Sequence, residues 1–221
     1  MRRFDATLFD MDGTLVDSLD SFVYSAEKAL REFGIIHIKR ETLRKLIINP
    51  FDKIIKTLLP EFSSEHDRIV QRYVQIYNSE GYKLTKPKDR ALEVLEQLKR
   101  QKVKIAIVTS RILLESSVVP VLQNCKLLDI VDVVVTASQV PRPKPEPFQH
   151  ELAVKRLGVP KERTIAIGDS PEDIIGAKAA GLKVAAYVNG FHTKQELEVH
   201  KPDYFLERLP EILRIVLDKS W

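Results

Sequence analysis

The sequence predicts an α/β protein: a doubly wound parallel sheet with a small all-helical cap inserted into it. Three observations carry that expectation. From about residue 90 onward, apolar runs of strand length alternate with amphipathic helical patterns, as parallel strands joined by crossover helices require. One further strand-like run, Phe4–Phe9, stands alone near the N-terminus. Between these two regions, residues 38–80 carry helical spacing only.

In chain order, the run Phe4–Phe9 reads as the first strand. The spacing Leu19-Phe22-Ala26-Ala29-Leu30-Phe33 reads as a helix, with Asp17/Ser18 as its N-cap and Gly34 as its stop. Helical spacing continues through Leu43-Leu46-Ile47, Ile54-Ile55-Leu58-Leu59 and Ile69-Tyr73-Ile76-Tyr77, broken at Pro50 and Pro60. After a link at Gly81–Pro87 come a helix at Arg90–Leu98 and a strand at Val103–Val108. A helix near Leu113–Gln123 precedes a strand at Val131–Val135, and a helix at Pro147–Leu157 precedes one at Thr164–Ile167. A helix at Glu172–Ala180, a strand at Val184–Val188 and a last helix at Leu209–Leu217 complete the series. The expected organisation is a Rossmann-like core of residues 1–15 and 83–221 with a helical cap of residues 16–82.

Composition narrows the class. With 221 residues, the chain can bury a core and a small accessory domain without covalent staples. Its single cysteine, Cys125, supplies neither a disulfide framework nor a Cys/His zinc cluster and suits a reducing, cytoplasmic setting, where it reads as a buried filler. Asp10 interrupts the first apolar run too early for a secretory signal. No apolar run approaches the ~18 residues of a membrane span, so no membrane partner is expected. A net charge of +4, with charges of both signs along the whole chain, argues against a nucleic-acid partner. A monomer or weak dimer is expected.

In an open parallel sheet, ligands bind beyond the carboxyl ends of the strands, so the polar residues that follow each apolar run carry the chemistry. Four such ends stand out: Asp10-Met11-Asp12-Gly13-Thr14, Thr109-Ser110-Arg111, Arg142-Pro143-Lys144-Pro145, and Gly168-Asp169-Ser170-Pro171-Glu172-Asp173. Carboxylates gathered at one edge raise one another's pKa unless a cation neutralises them. Oxygen donors without histidine or cysteine point to a hard ion, Mg²⁺ when phosphate oxygens complete its shell. A carboxylate can attack phosphorus to give an acyl phosphate that water then hydrolyses. Asp12, two residues beyond Asp10, is placed to give a proton to the leaving oxygen and later to take one from water.

Phe9-Asp10-Met11-Asp12-Gly13-Thr14-Leu15-Val16-Asp17-Ser18 resembles the first signature motif of the haloacid dehalogenase (HAD) superfamily. Thr109 resembles its second motif, Lys144 within Arg-Pro-Lys-Pro-Glu-Pro its third, and Gly168–Asp173 its fourth, all in the family's order. The helical insert after the first motif is similar to the C1 cap of the phosphoglycolate phosphatase and β-phosphoglucomutase branch. The resemblance implies Asp10 as nucleophile and metal ligand, and Asp12 as acid/base and as a ligand through its backbone carbonyl. It also implies Asp169 as the third protein ligand, Asp173 beside the metal, Thr109 with the Ser110 N–H on the phosphoryl oxygens, and Lys144 neutralising charge.

Several of these residues carry a structural reading as well. Ser170, Pro171 and Asp173 match a capping box with proline at N1. Thr109 can simply finish a strand, and Lys144 on its own would be a surface lysine. Arg111 is expected to face solvent, the five histidines to be surface or capping residues, and Lys83, Lys86 and Lys88 to form a solvated cluster.

Hydrolysis of a small phosphomonoester, with a small phosphorylated metabolite as the only partner, is the expected function. A dehalogenase releases halide without protonation and has no use for Asp12. A phosphomutase of the β-phosphoglucomutase kind carries an arginine in the cap loop, whereas Leu46–Lys53 has none and lacks the usual glycine. Pyrophosphate remains an alternative substrate, and a binding protein without activity is disfavoured by the presence of all four motifs.

Overall fold

The computed structural model describes residues 2–218. Its elements in chain order are β1 (Ala6–Phe9), β2 (Val16–Asp17), α1 (Leu19–Glu32), α2 (Arg40–Leu46), α3 (Phe51–Leu58), α4 (His66–Ser79), β3 (Lys86–Pro87), α5 (Ala91–Arg100) and β4 (Lys104–Val108). There follow α6 (Val118–Asn124), β5 (Val133–Val135), α7 (Phe148–Leu157), β6 (Thr164–Gly168), α8 (Pro171–Ala179), β7 (Lys183–Tyr187), α9 (Lys194–Glu198), β8 (Tyr204–Leu206) and α10 (Glu211–Leu217).

Six strands form one sheet in the order β5-β4-β1-β6-β7-β8, with every neighbouring pair parallel. The period of two sends alternate residues to opposite faces, and both faces are apolar. Ala6, Leu8, Ala106, Val108, Ala166, Val184 and Ala186 meet Ala153 and Leu157 of α7 and Ile174 and Ala177 of α8. Phe9, Ile105, Ile107, Ile165, Ile167 and Ala185 face Leu95 and Leu98 of α5 and Ile212 and Val216 of α10. Helices on both sides make the sheet doubly wound, as the alternation predicts. From β1 the order runs outward to β4 on one side and β6 on the other, so the loops beyond β1, β4 and β6 diverge around a crevice.

Between β2 and β3 every element is helical. Helix α1 lies along α4, where Phe22 stacks on Tyr77 at 5.5 Å between centroids, and Phe51 of α3 meets Tyr73 at 4.2 Å. The two chain segments leading into and out of this insert pair with each other. Val16 lies opposite Pro87 and Asp17 opposite Lys86 in an antiparallel ladder that the sequence pattern, read as a plain link, does not anticipate.

Two further expectations need correction, and two short elements lie outside the expected series. Ser18 occupies the N-cap of α1 but makes no side-chain cap bond; its hydroxyl donates instead to Asp12 Oδ1 at 2.5 Å. The helix expected from Leu113 begins at Val118, after a one-turn 3-10 segment Glu115–Ser117. Pro120 explains the late start, because a residue without an N–H is tolerated in the first turn and not within the helix. Finally, β8 and α9 are too short for periodicity to reveal. Thr193 and Glu196 close α9 with a capping box, and β8 adds an edge strand to β7.

Candidate active site

Strand β1 is fully buried at the centre of the sheet and delivers Asp10 to the crevice, its N–H donating to Ile167 C=O at 2.8 Å. The chain then turns sharply: Leu15 and Val16 both donate to the carbonyl of Met11, and Gly13 adopts φ +84°. Only glycine fits this turn, since a Cβ at Gly13 would stand 2.3 Å from Asp169 Oδ2. Gly190 approaches Asp169 as closely from the loop after β7, where a Cβ would lie 2.2 Å from that of Asp169.

Asp169 follows β6 directly, with both oxygens held, Oδ1 by the Thr14 hydroxyl at 2.7 Å and Oδ2 by the Phe191 N–H at 2.7 Å. Asp173 lies in the first turn of α8. Its backbone N–H donates to Ser170 Oγ at 3.2 Å, while its Oδ2 accepts from the Ser170 N–H at 3.1 Å, a reciprocal capping box. The cap leaves Oδ1 turned toward the crevice, where it meets Lys144. The structural and the site reading of Asp173 therefore coexist.

Lys144 is buried despite its loop position. Its three ammonium donors are fully used, reaching Asp10 Oδ1 at 2.7 Å, Asp173 Oδ1 at 2.5 Å and the Val108 carbonyl at 3.0 Å. Burial pulls the Lys144 pKa down, but Asp10 and Asp173 outweigh it and hold the ammonium charged. Burial raises Asp173 and Lys144 overcomes that, so Asp173 lies below the usual carboxylate range. Asp10 is pushed well above that range, by burial first and then by Asp173, with Lys144 opposing. Asp169 is raised to about 6 by burial and by the neighbouring Asp173.

Asp10, Asp169 and Asp173 each offer one oxygen, all within 4.8 Å of one another. With Lys144 beside them, the four groups carry a formal excess of two negative charges when ionised. Among the described residues, no hydrogen bond uses Asp10 Oδ2. An all-oxygen, partly neutralised carboxylate cluster suits a hard divalent cation. Its metal-free cost shows in pH dependence. A carboxyl raised from 3.8 to about 6 holds its proton more tightly when folded, so stability falls as pH rises across that window. Asp169→Asn is expected to raise the metal-free thermal midpoint at pH 7, by no more than about 3 kcal/mol of stability, and to flatten its slope between pH 4 and 6. A lower midpoint for the variant at pH 7 would contradict this.

Thr109 follows β4 and is buried, its N–H donating to the Val135 carbonyl at 3.0 Å. Gln149, which has no signal in the sequence pattern, ties this loop to the next one. Its Oε1 accepts from the Lys144 N–H and its Nε2 donates to the Thr109 carbonyl, both at 2.9 Å. Ser110 Oγ reaches the same Oε1 at 3.4 Å.

Asp12 does not join the carboxylate cluster through its side chain. Arg111 donates to it through Nε at 2.7 Å and Nη2 at 2.6 Å, and Ser18 adds a third bond. The expectation of a solvent-facing Arg111 is thus wrong: the residue is buried because it folds back onto Asp12. Two histidines also depart from the surface reading. His66 is buried against the Leu59 carbonyl at 2.7 Å, and His150 lies beneath Lys144 and Asp173, where burial lowers its pKa to about 3 and keeps it neutral. Cys125 is buried as expected, and burial lifts its pKa to about 11.

Comparison with known proteins supplies the remaining context. The family model described as haloacid dehalogenase-like hydrolase matches residues 7–187. The pyrophosphatase PpaX of Bacillus mycoides is 30% identical over 227 residues, covering 97% of this chain and 97% of that protein. A haloacid dehalogenase-like hydrolase of Streptococcus pneumoniae superposes with a TM-score of 0.83 at 24% identity, covering 96% of this chain and 97% of the other. A Haemophilus somnus protein described as a predicted phosphoglycolate phosphatase gives a TM-score of 0.87 at 23% identity, covering 97% and 99%. These two superpositions speak to the fold.

Proposed function

Since the chain belongs to the haloacid dehalogenase-like hydrolase family, we propose that it is a Mg²⁺-dependent phosphatase that cleaves a small phosphomonoester through an aspartyl-phosphate on Asp10. The observation that carries this reading is the buried cluster itself: a strand-end carboxylate with one oxygen engaged by Lys144 and two further carboxylates within 4.8 Å.

Asp10, Asp169 and Asp173 would hold the metal through their carboxylates, joined by the backbone carbonyl of Asp12. When bound, Mg²⁺ would offset the negative charge of the cluster and of the phosphoryl oxygens. Asp10 attacks phosphorus with its remaining oxygen; the new O–P bond forms as the bond to the leaving oxygen breaks. Asp12 gives its proton to that leaving oxygen. In the second half it takes a proton from water, which attacks the phosphorus of the acyl phosphate and frees Asp10 and inorganic phosphate. Thr109 Oγ1 and the Ser110 N–H hold the phosphoryl oxygens, while Lys144 stays charged and keeps nucleophile and phosphoryl group from repelling each other.

A second reading replaces the ester with inorganic pyrophosphate. The 30% identity to a pyrophosphatase over nearly the full length of both chains favours it. Both readings use the same cluster, and in both the leaving group departs from phosphorus on the side opposite Asp10.

One experiment tests the shared chemistry and separates the two. Hydrolysis of 4-nitrophenyl phosphate, of a panel of metabolite monoesters and of pyrophosphate is measured with excess Mg²⁺ and with chelator. Chelation is expected to abolish all activity, and added Mg²⁺ to restore it. Activity that persists in chelator sinks the proposed mechanism. A kcat/KM for pyrophosphate above that for every monoester selects the second reading. Among the described residues, no helix is long and apolar enough to cross a membrane.

A further inference from the structure

We propose that Arg111 is a positioning residue that fixes the orientation of the Asp12 carboxylate and ties that orientation to the helical insert. The inference rests on Asp12 acting as the proton donor in the reading above.

Arg111 has three anchors. Its fork grips both Asp12 oxygens, Nε to Oδ2 at 2.7 Å and Nη2 to Oδ1 at 2.6 Å, with the Arg111 side chain only 4% exposed. Its remaining arm, Nη1, donates to Ser117 Oγ at 2.7 Å, and Ser117 in turn donates to the Leu114 carbonyl at 2.5 Å. The guanidinium carbon then sits 5.3 Å from the ring centroid of Phe22 in α1 and 5.2 Å from that of Tyr77 in α4. One cation thereby touches the nucleophile loop of the core and two helices of the insert.

Such an arrangement is costly unless it is filled completely. A guanidinium withdrawn from water needs a carboxylate and aromatic faces to compensate it, and here it has both. Each guanidinium nitrogen spends one N–H, three of the five donors, and two of those three bonds go to Asp12; the role this geometry supports is to place Asp12. Arg111 and Ser18 donate twice to Oδ1 and once to Oδ2, so the proton that Asp12 transfers sits on the open position of Oδ2, whose direction is fixed by the grip on the carboxyl group. Two of the three hydrogen bonds that hold it come from Arg111, and the third comes from Ser18 where the insert begins. Displacing α1 or α4 removes the rings over Arg111 and opens its ion pair with Asp12 to water, which weakens the grip on the carboxyl group. Insert position and acid orientation are therefore coupled through this residue. Lysine substitutes only in part, since an ammonium has no fork.

The test is leaving-group dependence. Nitrophenolate leaves readily without a proton, whereas phenolate needs more assistance, so the loss of a correctly placed acid appears more strongly with phenyl phosphate. Arg111→Met is expected to lower kcat for phenyl phosphate at least about tenfold more than for 4-nitrophenyl phosphate, with KM little changed, and Arg111→Lys to recover only part of the difference. Tyr77→Leu combined with Phe22→Leu, which leaves the ion pair intact, is expected to shift the ratio in the same direction by a smaller factor. This second variant keeps the test open if Arg111→Met folds poorly, as judged by its thermal midpoint. Equal losses on the two esters in both variants would show a merely structural role and overturn the proposal. Asp12→Asn separates the two claims. If it is leaving-group selective while the Arg111 and ring variants are not, only the positioning role falls; if it is not selective, the acid role of Asp12 and this inference fall together.

Discussion

Asp10→Asn is expected to lower the turnover of 4-nitrophenyl phosphate by on the order of 10⁴-fold or more, while the metal-free protein becomes more stable above pH 5. The kinetic loss follows from the nucleophile's chemistry. An amide oxygen in the same place does not form an acyl phosphate, and removing a covalent nucleophile costs about this much in enzymes that act by double displacement. The stability gain follows from the same burial that marks Asp10 as functional. Its carboxyl is pushed well above the usual range, by burial and then by Asp173, so the folded state binds that proton more tightly than the unfolded chain does. Stability from this group is present at low pH and is lost as pH rises. Asparagine keeps the shape and carries no charge to bury. Activity is read by steady-state kinetics, and stability by thermal melts of chelated protein at pH 5 and pH 8. A variant that keeps more than about 1% of wild-type turnover, checked for contaminating phosphatase by a matched mock purification, would remove Asp10 from the nucleophile role.

The two halves of this prediction share a physical origin that is visible in the chain before any folding. Strand-end reading works because a parallel sheet sends the ends of β1, β4 and β6 to one edge. It therefore names Asp10, Asp12, Thr109, Asp169 and Asp173 without knowing their distances, while Lys144, in the long loop after β5, is singled out by its place in the family's motif order. The same logic gives the sheet itself, since both its faces are apolar and its strands alternate with helices of ordinary length.

What the sequence pattern leaves out has a different character. Arg111 lies 99 residues from Asp12 along the chain, and whether it turns outward or inward is decided by Phe22, Tyr77 and Ser117, none of which marks it locally. Gln149 sits on a helix face at a position any apolar residue could fill; only the two loop backbones it bridges give it meaning. The pairing of Val16 and Asp17 with Pro87 and Lys86 is two residues long on each side, below the length at which a period of two can be seen. His150 packs against Gly176 of the next helix, where an added Cβ would stand 3.2 Å from the imidazole, a closeness that arises from tertiary packing. Local periodicity thus reveals elements and their ends, while side-chain partners across loops need the assembled fold.

Lys144→Met is expected to damage both activity and the metal-free fold, and the second effect can be reversed by Mg²⁺. Methionine preserves much of the stem's volume but leaves the Asp10 and Asp173 oxygens facing each other without the ammonium that now bridges them at 2.7 and 2.5 Å. Breaking a buried ion pair by removing one partner costs roughly 3–5 kcal/mol. Here the two carboxyls can recover part of that loss by taking up protons. Asp173, now held below the usual range by Lys144, would rise along with Asp10. Both would then have folded pKa values above their unfolded ones, so the variant's stability must fall as pH increases from about 4 toward 8. A divalent cation supplies the missing positive charge, and the melting temperature of Lys144→Met should gain more from saturating Mg²⁺ at pH 8 than wild type does. Turnover should not recover with it, because a charge preorganised against the transferring phosphoryl group is worth about 10²–10³ in rate and methionine provides none. Thermal melts at pH 5 and pH 8, with and without Mg²⁺, and kcat at saturating metal separate the two effects. Full recovery of kcat by Mg²⁺ would mean that Lys144 serves only to neutralise the resting cluster. A melting temperature insensitive to pH would mean that Asp10 and Asp173 do not depend on it at all.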